Sequence, residues 1–107
     1  MTAYNVVWTE QAYESLRKLH DFIAVDAPEG AKKVVRALAK HSQSLEKMPR
    51  RFPCEPALEN APVEYRFVLK WNYKIIYTIL ESDKTVLVVL VFDTRQNPLK
   101  LSKLDIN

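Results

Sequence analysis

Residues 64–92 decide the fold, and they read EYRFVLKWNYKIIYTILESDKTVLVVLVF. Three stretches rich in aromatic and β-branched residues, 64–70, 73–80 and 85–92, are separated by the turn-like pairs Trp71-Asn72 and Ser82-Asp83. Such residues favour strands, and short polar breaks between them favour hairpins. The stretch therefore predicts an antiparallel meander of three strands.

The length of the first hairpin loop determines which side chains of this meander share a face. A two-residue loop puts Arg66 and Lys74 on opposite faces, whereas a three-residue loop puts them on the same face, because side chains alternate along a strand. The three-residue loop separates apolar from basic side chains better, and we predict it. One face then carries Tyr65, Phe67, Leu69, Tyr73, Ile75, Tyr77 and Ile79, and the other carries Arg66, Val68, Lys74, Ile76 and Thr78.

Upstream of the meander, the pattern predicts one strand and two helices. Residues 3–8 are β-rich, and Thr9 then offers an N-cap oxygen to a first helix. The inward stripe of this helix is predicted to be Tyr13, Leu16, Leu19 or His20, and Ile23. Asp26 is predicted to cap a second helix that has Pro28 in its first turn and ends at Pro49. Its inward stripe is predicted to be Ala31, Val34, Val35, Leu38, Ser42 and Leu45.

Together these elements predict an α+β fold. An N-terminal strand precedes an antiparallel helical hairpin, because very few residues join the two helices. The hairpin is expected to cover the aromatic face of the sheet and to leave the basic face open and concave. Residues 48–62 contain four prolines and no clear period, which predicts a loop.

Composition limits the class of protein. The chain has 107 residues, of which 48% are hydrophobic and 27% charged, so we expect a single domain over residues 1–107. It shows no membrane span and no secretory signal, which predicts a cytoplasmic protein. The lone Cys54 excludes an internal disulfide and argues against a thiolate metal site. Nothing in the sequence calls for a metal, an organic cofactor or a membrane partner.

The positive charge is concentrated in one segment. Residues 32–51 carry seven basic side chains and one acidic side chain. Clustered charge of this kind attracts phosphates or acidic proteins, and the alternative is a solvated helix face. The candidate binding residues in this segment are Lys32, Arg36, Lys40, Arg50 and Arg51.

Three sequence motifs carry a family resemblance. Tyr65-Arg66 is followed by the middle-strand motif at residues 73–77 (YKIIY) and by the closing motif at residues 91–95 (VFDTR). With the preceding helical hairpin, this order resembles the RelE/ParE superfamily, the toxins of type II toxin-antitoxin systems, over residues 4–98. The resemblance implies a plasmid-stabilisation type of toxin that inhibits growth and has a cognate antitoxin as its partner.

The superfamily contains ribosome-dependent mRNA endonucleases and ParE-type toxins that poison DNA gyrase. By position, Arg66, Lys74 and Arg95 match the basic residues of the RNA-cutting members, and they are catalytic candidates only in that branch. A second lysine of the nucleases falls here at Val68, and their C-terminal tyrosine or histidine has no counterpart after Arg95. Arginine cannot act as a base near neutral pH, and Glu64 beside Arg66 is more typical of a surface pair than of a base.

This incomplete set favours a ParE-like toxin that binds a protein target such as gyrase. The alternatives are an mRNA endonuclease acting on the ribosome, and a degenerate toxin that only occupies its antitoxin. Whether the chain is an enzyme stays open at this point.

Overall fold

The structure is a computed structural model that describes residues 3–102. Within this range the fold has four β-strands and three α-helices. The strands are β1 (Asn5–Trp8), β2 (Arg66–Lys70), β3 (Tyr73–Leu80) and β4 (Thr85–Asp93), and the helices are α1 (Glu10–Ala24), α2 (Pro28–Gln43) and α3 (Leu99–Ser102). Within the described range, no helix combines the length and the apolarity needed to cross a membrane.

The sheet has the order β1-β4-β3-β2. β2, β3 and β4 form the predicted antiparallel meander, and β1 pairs in parallel with β4. Opposite Ile76 and Tyr77, β4 has one extra residue, because these two residues pair with Leu90 and Val88. The predicted α+β fold, with its N-terminal strand and helical hairpin, is confirmed.

The helix boundaries follow the predicted signals except at two points. Thr9 caps α1 by accepting a hydrogen bond from the amide of Ala12 at 3.0 Å. Asp26 does not cap α2, so that prediction was wrong: its amide and that of Ala27 both donate to the carbonyl of Ile23 and close the end of α1. The cap position therefore falls on Ala27, which has no side-chain oxygen. α2 also ends earlier than Pro49, at Gln43, and continues only as a short 3-10 turn.

The inward stripe of α1 differs from the predicted one at a single residue. Tyr13 is exposed, and its ring stacks on that of Trp8 with centroids 5.6 Å apart, while Ala12 is buried in its place. A tyrosine ring is too large to fit where α1 lies close to the sheet, whereas alanine allows a close approach. The predicted stripe of α2 is partly or fully buried along its whole length.

The first hairpin corrects the predicted loop length. Lys70 pairs with Tyr73 and Leu69 with Lys74, so the loop has two residues and not three. Arg66 consequently shares a face with Val68, Ile75 and Tyr77, which the helices cover, and Lys74 lies on the opposite face. The prediction rested on separating apolar from basic side chains, and that criterion applies only when one face of the sheet is open.

Both faces of the sheet are covered, which is why the criterion failed. The helix side buries Leu38, Ile75, Tyr77 and Val88 in one cluster. The other side buries a second cluster around Leu58, Ile76, Phe92 and Leu101. Leu58 comes from the proline-rich loop and Leu101 from α3, so these two segments form a partial third layer. The predicted open basic face is therefore absent among residues 3–102.

Candidate functional site

Arg66 lies at the edge of the helix-covered face, where its guanidinium holds the proline-rich loop against β2. Its side chain is only 17% exposed. It donates to the carbonyl oxygens of Arg50 and Phe52 and forms an ion pair with Glu64 at 3.0 Å. Arg66 thus holds residues 50–52 against β2 through these hydrogen bonds. The expectation that its side chain is exposed on an open face was wrong. Glu64 forms the surface pair that its position beside Arg66 indicated.

Lys74 points into the opposite face, towards a buried carboxylate. Its Nζ lies 2.7 Å from Oε1 of Glu55 and 4.3 Å from the ring centroid of Phe67. Glu55 is 3% exposed, and its second oxygen accepts a hydrogen bond from the amide of Ala57 at 2.9 Å. The ammonium group is therefore held by a carboxylate and an aromatic ring, which together neutralise and partly desolvate it.

Arg95 lies beyond the end of β4 and is held by a third carboxylate. Its Nη2 is 2.6 Å from Oδ2 of Asp93, and its backbone amide also donates to Asp93. The side-chain hydrogen bond from Arg95 lowers the pKa of Asp93, and a further hydrogen bond from Asn72 has the same effect. The pair closes the turn after β4 beside the first hairpin loop.

The three basic residues of the predicted catalytic set do not converge on one point. Arg66 is opposite Tyr77 in the β2–β3 register, whereas Asp93, the partner of Arg95, is opposite Tyr73. Four residues of strand separate these positions, which is about 13 Å. Lys74 lies between them along the strand but on the other face. Each cation also has its own carboxylate, so the three cannot surround one phosphate in this arrangement.

The five candidate binding residues divide into two groups. Nζ of Lys32 lies 3.7 Å from Oε1 of Glu29, and Nη2 of Arg50 lies 3.0 Å from Oε2 of Glu81. Arg51 donates to the backbone carbonyls of Ser44 and Met48, which follow α2, and lies over the ring of Phe52. Arg36 and Lys40 have no ion-pair partner among residues 3–102. Of the five candidates, these two are the ones with neither an ion pair nor a side-chain hydrogen bond among the described residues.

Glu55 was missed by the sequence analysis, although it determines the environment of Lys74. The available signal was a single carboxylate followed by Pro56, a sequence suited to capping a short helical turn. Its ion pair spans 19 residues, and local patterns do not reveal such a contact. Of the two histidines, His20 lies on α1 beside Asp21, and His41 is partly buried on α2. Residues 3–102 contain no group of three His, Cys, Asp or Glu side chains that could hold a metal ion.

A groove runs between α1 and the end of β4. It has a volume of about 590 Å³, and its apolar lining includes Leu19, Phe22, Val91 and Phe92. Phe22 is 72% exposed at its rim. β1 ends opposite Val88, so β4 continues into the groove without β1 as a neighbour, and Oγ of Ser15 accepts a hydrogen bond from the amide of Val91 at 2.9 Å.

Comparison with solved structures supports the fold. A chain of the chromosomal ParDE system from P. aeruginosa superposes with a TM-score of 0.69 at 18% identity, covering 85% of this chain and 96% of that one. A chain of the RelBE2 toxin-antitoxin complex from Mycobacterium tuberculosis gives a TM-score of 0.61 at 23% identity, covering 87% and 93%. A chain of the archaeal RelE-RelB complex from Pyrococcus horikoshii gives 0.60 at 18%, covering 91% and 100%.

The family follows from the sequence. A search among curated proteins finds no match. The family profile of the ParE toxin of the type II toxin-antitoxin system parDE, however, matches residues 6–98, which include every strand of the sheet except the first residue of β1. The chain therefore belongs to the ParE toxin family of type II toxin-antitoxin systems.

Proposed function

We propose that this chain is a cytoplasmic, single-domain toxin that arrests bacterial growth by binding a protein target, and that it does not cut RNA. The target implied by the resemblance is DNA gyrase. A cognate antitoxin holds the toxin inactive.

The observation that supports this proposal is the dispersal of Arg66, Lys74 and Arg95. Cleavage of RNA by its own 2'-hydroxyl needs a base, an acid and cations that meet around one phosphate. Here each of the three cations is bound to a different carboxylate, and Lys74 is on the other face of the sheet from Arg66. Arginine stays protonated near neutral pH, so neither arginine can act as the base. A toxin without these elements acts through binding.

The groove between α1 and β4 is suited to an antitoxin segment. The exposed Phe22, the partly buried Leu19 and the buried Phe92 give the groove an apolar surface. Beyond Val88, β4 has no β1 neighbour, so its backbone groups can pair with an extended segment. In the structure, the amide of Val91 in this stretch donates to Oγ of Ser15. Apolar anchoring combined with strand addition is a common way to bind a peptide.

Inducible expression in a bacterium, with and without the neighbouring small gene, tests the proposal. We expect arrest without that gene, DNA-damage signalling and loss of supercoiling, and rescue when the two genes are expressed together. The variant Arg95→Ala should arrest growth as the wild type does, because Arg95 has no catalytic role in the proposal. Loss of specific messages on translating ribosomes, abolished by Arg95→Ala, would refute it.

A second variant tests the antitoxin groove. Phe22→Glu places a charge in the apolar groove between α1 and β4, so the antitoxin should no longer rescue growth. Toxicity without the antitoxin should stay unchanged. Phe22→Leu is the matched control, and it should still be neutralised. A Phe22→Glu toxin that forms the complex with unchanged affinity would place the antitoxin elsewhere.

A further inference from the structure

Met48 is an exposed apolar residue with a strained backbone. It lies between two short 3-10 turns with φ of 47°, in the left-handed region that residues other than glycine rarely adopt, and it is 69% exposed. Trp71 and Lys84 also have positive φ, of 54° and 47°, but they lie in the loops between strands of the meander, where tight turns favour such angles. Met48 is outside any hairpin, and retained strain of this kind is most frequent at functional sites.

The residues that follow Met48 enforce its conformation. Pro49 is fully buried, and its carbonyl accepts the hydrogen bond from the hydroxyl of Tyr77 at 2.6 Å. The backbone amide of Arg51 donates to the carbonyl of Met48 at 3.1 Å, and the Arg51 guanidinium donates to the carbonyls of Lys47 and Met48. The exposed side chain is therefore carried by a fixed backbone. A preformed surface of this kind loses less conformational entropy when it binds a partner.

A groove runs beside Met48, and we call it the Met48 groove. It has a volume of about 730 Å³, and it is lined by Ala3, Tyr4 and residues 47–51. Three of these seven residues are cations, namely Lys47, Arg50 and Arg51, and none is acidic. The Met48 groove therefore combines an apolar and aromatic wall with positive charge.

Carboxylates of the chain itself neutralise part of this charge. Nη2 of Arg50 lies 3.0 Å from Oε2 of Glu81, and its Nη1 lies 3.9 Å from Oε1 of Glu64. Lys47 forms no ion pair within residues 3–102. The guanidinium of Arg51 donates to carbonyl oxygens, which leave its charge in place. The charge available to a ligand in the Met48 groove therefore comes from Lys47 and Arg51.

We propose that the Met48 groove binds the protein target through an acidic segment. An apolar side chain of that segment packs against Met48 and Tyr4, and its carboxylates pair with Lys47 and Arg51. This inference rests on the proposed function, because it takes the target to be a protein. Methionine, tyrosine and arginine are enriched at protein interfaces, and opposite charges across an interface favour the correct partner.

The position of the Met48 groove separates it from the site proposed for the antitoxin. It shares no residue with the groove between α1 and β4. The hydroxyl of Tyr4 donates to Glu81 at 2.8 Å, and Nζ of Lys84 lies 5.2 Å from the centroid of the Tyr4 ring, so the Met48 groove lies near the start of β4. The antitoxin groove contains residues 90–93, at the other end of that strand. The strand between positions 84 and 90 spans about 20 Å.

Two features favour an acidic protein segment over a nucleic acid. The Glu81 carboxylate, which holds Arg50 and Tyr4, is half exposed and repels a phosphate backbone, whose charges recur along its whole length. A peptide needs to place carboxylates only at Lys47 and Arg51. Lys84 also lies over the Tyr4 ring, which leaves less aromatic surface for a base to stack on.

The test uses the full-length toxin and two variants, Met48→Asn and Lys47→Glu. Asparagine tolerates positive φ, so Met48→Asn removes the apolar anchor and keeps the backbone. Met48→Leu and Lys47→Arg are the matched controls. Lys33→Glu, an exposed position on α2 outside the Met48 groove, makes the same change in net charge elsewhere.

Circular dichroism and complex formation with the antitoxin report folding, while growth arrest and binding to purified gyrase report function. We expect Met48→Asn and Lys47→Glu to fold and to bind the antitoxin normally, yet to bind gyrase at least about tenfold more weakly. The three control variants should bind gyrase as the wild type does.

The other outcomes overturn the inference in distinguishable ways. Gyrase binding that survives in both test variants, or that Lys33→Glu weakens as much as Lys47→Glu does, would overturn it and leave the proposed function standing. Folded test variants that lose the antitoxin would assign the Met48 groove to the antitoxin instead. Tight binding of a single-stranded oligonucleotide that both test variants lose, with gyrase binding unchanged, would assign it to a nucleic acid. A wild-type chain that neither arrests growth nor binds gyrase would overturn the proposed function, and this inference with it.

Discussion

Tyr77 shows at the scale of one residue how the helix side of the sheet is closed. It is the largest fully buried side chain among residues 3–102, and its hydroxyl donates to the carbonyl of Pro49 at 2.6 Å. The hydrogen bond joins the middle strand to the start of the proline-rich loop. It stabilises the same loop that Arg66, its neighbour across the β2–β3 pair, also holds.

Tyr77 also makes stability depend on pH in the alkaline range. Burial raises its pKa from 10.0 to about 12. A raised pKa means that the contribution of the neutral group is fully present below pH 10 and is lost as pH rises through 12. We expect the free energy of unfolding to fall over this window, and Tyr77→Phe to weaken that dependence while costing about 1 kcal/mol at pH 7. Denaturant titrations between pH 7 and 12 measure both effects, and identical curves for the two proteins would contradict the assignment.

Glu81 predicts the opposite dependence in acid. Hydrogen bonds from Lys84, Tyr4 and Arg50 lower its pKa from 4.5 to about 2. A lowered pKa means that the carboxylate stabilises the fold above pH 4.5 and that this stabilisation is lost as pH falls towards 2. Glu81→Gln should therefore flatten the stability profile between these values. Thermal unfolding between pH 2 and 4.5 tests this prediction. The control is Glu59→Gln, which removes an exposed carboxyl in the proline-rich loop; its melting temperature should vary with pH as that of the wild type does.

The ion pair between Glu55 and Lys74 is predicted to be structural. Lys74→Met leaves a carboxylate in an environment where it is 3% exposed, and we expect a loss of about 3 kcal/mol in the free energy of unfolding. The double variant with Glu55→Gln should recover most of that loss, since it removes the unpaired charge and keeps an oxygen for the amide of Ala57. A loss below about 1 kcal/mol for Lys74→Met, the size typical of exposed pairs, would show that the pair is not buried in solution.

The β2–β3 hairpin is the element on which sequence reasoning failed. Its strands were predictable because β propensity and polar breaks are local properties of the sequence. Its loop length was not, because the choice depended on what covers the second face. That cover comes from Leu58 and Leu101, residues outside the hairpin that are brought onto its second face only in the folded chain.

The same hairpin yields a prediction about strain. Glycine adopts positive φ without the steric clash that Trp71 has to accept, so Trp71→Gly should relieve strain of about 1 to 3 kcal/mol. Part of this gain is offset by the greater chain entropy of glycine when unfolded, about 0.5 to 1 kcal/mol. We therefore expect Trp71→Gly to make the chain more stable. A melting temperature below that of the wild type would indicate that the indole stabilises the hairpin.

At the scale of the whole molecule, the fold and family were predictable and the site was only partly so. The order of strands and helices, read with the motifs at Tyr65-Arg66 and residues 73–77, indicated the superfamily, and the family profile confirms it. The prediction that Arg66 and Lys74 share a face was wrong. It failed because no local sequence pattern indicates that the proline-rich loop and α3 cover the second face of the sheet. Of the five candidate binding residues, Lys32 and Arg50 have ion pairs and Arg51 donates to backbone carbonyls, whereas Arg36 and Lys40 have neither kind of partner within the described chain.

The central claim is that the dispersed cations make this toxin a binder and not a nuclease. The measurement that tests it most directly is the integrity of a defined mRNA in a reconstituted translation reaction containing the purified toxin, with gyrase supercoiling assayed on the same sample. We expect the mRNA to stay intact and supercoiling to be inhibited. Ribosome-dependent cleavage of the mRNA that disappears in Arg66→Ala or Lys74→Met, while supercoiling proceeds normally, would contradict it.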